Sequence, residues 1–97
     1  MRIISRRNLR EFWEKYPDSA VALQTWFRDV ERFLWNSPTD IKAVYHNASF
    51  IGNNRVVFNI KGNHYRLVVV VIYQHRVVYV RFVGTHADYD RIDASTI

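Results

Sequence analysis

The apolar positions change period partway along the chain. In SRRNLREFWEKYP, Leu9, Phe12, Trp13 and Tyr16 recur at three- and four-residue steps, which sets them on one face of a helix. Ser5 stands where an N-cap belongs, and Pro17 stops the run. PDSAVALQTWFRDVERFLWNSP predicts a second helix. Leu23, Phe27, Val30 and Leu34 form its i, i+4, i+7, i+11 stripe, with Trp26 and Phe33 alongside. Pro17 suits its first turn, Asp18 favours the positive helix end, and Asn36-Ser37-Pro38 closes it. Both stripes read as core. Ahead of them, RIIS at 2–5 reads as a short strand.

Residues 39–54, TDIKAVYHNASFIGNN, show no clean period. They predict a long connection held down by Ile41, Val44, Tyr45, Phe50 and Ile51, with Lys42 and His46 as its polar members of interest. Then the period becomes two. RVVFNI, HYRLVVVVIY and RVVYVRFV read as strands, joined by candidate two-residue turns at Gly62-Asn63 and Gln74-His75. THADYDRID is predicted to close the chain with a short helix.

Two-residue turns fix a register. Asn59 then pairs with Arg66, Val68 with Arg81, and Arg66 with Val83. One sheet face becomes almost wholly apolar, from Val56, Phe58 and Ile60 through Leu67, Val69 and Val71 to Val78, Val80 and Phe82. The two helices are available to cover it, which makes the fold class α+β: two N-terminal helices on one face of a small, mostly antiparallel sheet. The other face is mixed. Its polar members, Asn59, Lys61, His64 and Arg66, gather near the first turn, with Arg81 diagonal to Arg66. The last strand leaves the sheet at that end, so it delivers GTHADYDRID to the basic cluster.

Length and composition narrow this picture. At 97 residues the chain is expected to form one domain, and 48% hydrophobic residues make an efficient core plausible. No cysteine is present, so disulfides and thiolate metal sites are excluded, which fits a reducing cytoplasm. The longest apolar run, Leu67–Tyr73, is too short to span a membrane, and the opening MRIISRRNLR lacks an apolar signal core. A net charge of +5 points to an acidic partner, nucleic acid first.

Arginines bind phosphate oxygens in forked geometry, a histidine moves protons near neutral pH, and a tyrosine stacks on a base or donates a proton. Together they are what metal-free phosphodiester cleavage in RNA requires. No carboxylate cluster with metal spacing accompanies them, so no metal or other cofactor is expected. The same residues have a structural reading: Thr85-x-x-Asp88 as a helix cap, Asp90 as a partner for Arg91 or Arg66, His86 as a surface residue. Passive nucleic-acid or protein binding stays open beside catalysis. Arg6, Arg7 and Arg10 read as a solvated helix face, and His46 and His75 as surface loop residues.

The run VVFNIKGNHYRLVVVVIY, followed by VYVRFVGTHADYDRID, resembles the HigB-type toxins of type II toxin–antitoxin systems, within the RelE-like superfamily. The resemblance extends upstream through DIKAVYHNASFIGNNR. It implies a ribosome-dependent mRNA endoribonuclease that halts translation, and a HigA-type helix-turn-helix antitoxin as partner. In that reading Arg66 holds the scissile phosphate, and His86 and Tyr89 are the terminal catalytic elements, His86 as general base or acid. Asn59, Lys61, Asn63 and Arg81 position RNA, Lys42 contacts its backbone, and Asp90 orients His86 or Arg66. Another branch of the fold acts by binding DNA gyrase; the histidine-bearing tail argues against that alternative here. Tyr79 is the only aromatic that the register puts on the open face, which is thin support for a non-catalytic RNA-binding domain.

Overall fold

Five strands, β1 (Arg2–Ile4), β2 (Ser49–Phe50), β3 (Arg55–Ile60), β4 (Tyr65–Ile72) and β5 (Val77–Thr85), form one sheet in the order β1-β5-β4-β3-β2. This is a computed structural model and describes residues 1–97. Strands β2 to β5 pair antiparallel, while β1 joins β5 in parallel, Ile3 opposite Val78. The α+β class and the mostly antiparallel sheet expected from the sequence are both present.

Helices α1 (Arg6–Lys15) and α2 (Ala20–Arg32) cover one sheet face, separated by a 3-10 turn at Pro17–Ser19. Leu9, Leu23, Trp26 and Val30 are buried against Phe58, Leu67, Val69, Val71, Val78 and Val80. Phe58 sits at the centre, with the rings of Trp26, Trp35 and Tyr45 at 5.5, 6.2 and 5.1 Å. The predicted second stripe runs one residue too far. The helix ends at Arg32 and Phe33 is extended, so Leu34 turns outward, 60% exposed, and Trp35 takes the core position. The Met1 ammonium donates to the carbonyls of Val30, Glu31 and Phe33, which ties the start of the chain to the end of this helix.

The predicted connection at 39–54 is largely ordered structure. It holds a short helix, α3 (Pro38–Val44), and strand β2 on the sheet edge. Pro38 takes the first helical position after Ser37, and the Asp40 carboxylate accepts from the Asn36 N–H at 2.8 Å. Only Ile41 of this helix is buried.

A clamp joins the helices to the β3–β4 turn. The Asp18 carboxylate accepts from the Tyr65 hydroxyl at 2.5 Å and from the Lys61 ammonium at 2.9 Å. These two partners hold the Asp18 carboxyl below its ordinary pKa, and the same bond, with burial, pushes the Tyr65 phenol up to about 12. A carboxyl lowered in this way stabilises the fold above the ordinary carboxylate pKa, and that contribution disappears as pH falls through the lowered value. Asp18→Asn is therefore expected to lower the melting temperature at neutral pH. The gap from wild type should close as pH falls below about 4, which thermal melts at stepped pH will show.

The second sheet face departs from expectation in two ways. Its register breaks: Val69 pairs with Val80 as predicted, but Val68 pairs with Phe82, Leu67 with Val83 and Arg66 with Gly84. Arg81 is the extra residue in a β-bulge, which shifts everything after it by one and exchanges faces. Phe82, expected on the helix side, lies on the opposite face, and Val83 takes its place against the main core. The second face is also covered. Residues after α4 (His86–Tyr89) fold back so that Ala94 is buried with Val57 and Val68, and Ile51, Phe82, Tyr89, Ile92 and Ile97 pack around them. The Arg55 guanidinium donates to the Ile97 carbonyl and Asn53 donates to the Ser95 carbonyl at 3.1 Å, which pins this tail.

Candidate active site

Because the bulge takes up one residue, β5 reaches the site one residue later than the unbroken register would. Gly84 lies opposite Arg66 and Thr85 opposite Tyr65. Thr85 is extended and caps the next turn, its hydroxyl accepting from the Asp88 N–H at 3.1 Å. That turn is α4, and it carries His86 and Tyr89. The capping residue and the candidate site residues are thus different positions of one segment.

His86 is exposed, and its Nδ1 lies 3.1 Å from the Asp90 carboxylate, one helical turn on. An ionised carboxylate only accepts, so Nδ1 carries a proton, and in the neutral ring the lone pair is on Nε2. The half-buried Tyr89 ring lies under the Arg66 guanidinium at 5.9 Å. Its other neighbour is Phe82, 6.5 Å between centroids. Arg66 makes one long bond, 3.5 Å to the Asn63 carbonyl, so its fork is available to an anion. Arg66, His86, Tyr89 and Asp90 thus converge on one surface. No third metal-ligating side chain joins His86 and Asp90.

Other residues expected at the site stand differently. Asn59 lies opposite Arg66 on β3 and is exposed, in the place the sequence gives it. Asn63 is on the turn and contributes its carbonyl to Arg66. Lys61 is turned away. Its backbone is left-handed, φ 52, so it leaves the strand alternation, and Asp18 holds its ammonium on the helix side. Arg81 is carried off by the bulge and lines a shallow hollow beside α1 with Asn8, Glu11 and Lys15. The Lys42 ammonium donates to the Ala48 carbonyl at 2.9 Å, closing the connection after α3.

Phe82 is a neighbour of the candidate site that the sequence places on the wrong sheet face. Its ring lies over Gly84, where a Cβ would meet Phe82 Cζ at 2.5 Å and Asp88 Cβ at 3.2 Å. Glycine is needed there for space. Gly84→Ala is expected to displace the ring and cost about 1–3 kcal/mol in urea unfolding. Trimming the ring in the Gly84→Ala/Phe82→Leu double variant should recover part of that loss, and a double-mutant cycle measures the coupling.

Comparison with known proteins covers most of the chain. A family model described as HigB_toxin, the RelE-like toxic component of a toxin–antitoxin system, matches residues 19–92. The chain is 30% identical over 93 residues to the mRNA interferase toxin HigB of Escherichia coli strain K12, covering 93% of this chain and 88% of that protein. An mRNA interferase HigB from Shigella flexneri matches to the same extent. The mRNA interferase HigB of Escherichia coli O6:H1 is 27% identical over 94 residues, covering 95% of this chain and 91% of that protein.

Proposed function

The chain belongs to the HigB toxin family, and from that membership we propose that it is the toxin of a toxin–antitoxin pair and an mRNA endoribonuclease working on translating ribosomes in the cytoplasm. The observation that carries the reading is the convergence of Arg66, the His86–Asp90 pair and Tyr89 on one surface. The chemistry is attack of a ribose 2′-OH on the adjacent phosphate. Arg66 holds the phosphate oxygens and offsets the charge that builds on them in the transition state. His86 Nε2 is the proton acceptor. Asp90 fixes the ring's tautomer and stabilises the imidazolium that forms. Tyr89 supports the guanidinium and offers a ring edge to a base.

Asn59 and Asn63 flank the phosphate position and are the RNA-positioning residues of this reading. Lys42, Lys61 and Arg81 lie farther out; they contribute to the field that attracts RNA and, on a large ribosomal substrate, to contacts beyond the scissile nucleotide. The ribosome presents the codon in order, so a sparse site suffices. A HigA-type helix-turn-helix protein is the antitoxin.

Brief induction in growing cells tests this. Growth should stop, and primer extension should reveal new mRNA ends inside translated regions. Intact mRNA during arrest would exclude the nuclease reading. Asp90→Asn should keep the fold, because the pair is exposed, and should slow cleavage about tenfold or more by losing the ring's orientation. Single-turnover rates on programmed ribosomes measure it.

A further inference from the structure

Cleavage by a 2′-OH involves two proton transfers. The attacking hydroxyl loses a proton, and the departing 5′-oxygen gains one. His86 meets the first need. Tyr89 is poorly placed for the second, because its ring lies between the Arg66 guanidinium and Phe82 and packs on the small core of Val57, Val68 and Ala94.

We propose that His64 supplies the second proton, as the general acid paired with His86. The proposal rests on the nuclease reading above. The register carries it. Tyr65 lies opposite Thr85, and the His86 N–H donates to the His64 carbonyl at 3.3 Å, so the backbones of the two histidines meet just past the end of the sheet. Arg66 is two positions along from His64, and Gly84, opposite Arg66, is two along from His86. One imidazole therefore comes from just before β4 and the other from just after β5, with the phosphate-binding guanidinium next in line and no side chain at Gly84 to crowd it. His64 is exposed, and its turn is tied to the helix side by Lys61 to Asp18.

The steps balance. His86 Nε2 takes the 2′-OH proton, and the 2′-oxygen bonds to phosphorus. The bond from phosphorus to the 5′-oxygen breaks, and protonated His64 gives its proton to that oxygen. The products are a 2′,3′-cyclic phosphate and a 5′-hydroxyl end. Asp90 assigns the roles: a carboxylate behind His86 favours the imidazole that gains positive charge during attack.

A leaving-group substitution tests this directly. The cleavage position is first mapped with wild-type protein on programmed ribosomes. The same mRNA is then made with sulfur in place of the bridging 5′-oxygen at that position, because a thiolate leaves without a proton. His64→Ala and His64→Gln should cleave the oxygen substrate about 10²-fold more slowly than wild type and regain most of that loss on the sulfur substrate. His86→Ala should stay slow on both. Cleavage of the oxygen substrate by both His64 variants within about threefold of wild type overturns the proposal. So does an equal loss on the two substrates, which marks a binding or folding defect. A wild-type protein that cuts neither substrate overturns the nuclease reading itself, and this assignment with it.

Discussion

Arg66→Ala is expected to abolish growth arrest while leaving the protein folded. The side chain is half-buried, and its only hydrogen bond within the protein is the 3.5 Å contact to the Asn63 carbonyl. Its distant stacking on Tyr89 adds little, so the change in unfolding free energy should stay within roughly 0.5 kcal/mol, the range of surface substitutions. Cleavage is another matter. Removing the group that holds the developing phosphate charge costs on the order of 10²–10³ in rate. Arg66→Lys should recover only part of it, because a point charge cannot reproduce two parallel bonds to phosphate. Single-turnover cleavage and a urea melt on the same preparation separate the two effects. His86→Ala should behave alike; full toxicity in both variants would show that the site has been wrongly assigned.

Phe58→Ala should act in the opposite sense, on stability first. Phe58 is 2% exposed, and three large rings pack on it from α2, from the segment after α2 and from the residue after α3. Truncating a buried phenylalanine costs about 3–5 kcal/mol, against a total of about 5–15 for a domain of this kind. At about 4–8 °C per kcal/mol in a small domain, the melting temperature should fall by at least about 12 °C. Phe58→Leu, which refills most of the volume, should lose about half as much or less. Thermal and urea unfolding of both variants check this.

The difference between these two outcomes mirrors what could be read from the chain. The apolar face of the sheet and the helical stripes depend on local periodicity, and the elements they predict are present, as is the Asn59–Arg66 register set by the Gly62-Asn63 turn. The bulge at Arg81 was invisible because VVYVRFV is apolar at every position but Arg81, so a one-residue shift leaves no fault in the pattern. What decides it is tertiary: after the bulge, Phe82 packs with Tyr89 and the folded-back tail, and Gly84 leaves space for its ring. Lys61 was misplaced for a similar reason. Its partner Asp18 is 43 residues away, and its positive φ ends the strand alternation. α3 left no period to detect, since it has 7 residues, under two turns; Ser37-Pro38 and Asp40 were its only local signals. The delivery of His86 to Arg66 did not depend on these details. A shift of one residue along β5 changes which residue faces Arg66, yet GTHADYD still leaves the sheet at the same end.

The most direct measurement is cleavage of a defined mRNA by purified protein, with and without programmed ribosomes. The expected result is cuts within the translated frame by wild type when ribosomes are present, none without them, and none by Arg66→Ala in either case. Intact mRNA on translating ribosomes, together with altered DNA supercoiling in arrested cells, would contradict it and place the protein among the toxins of this fold that act by binding.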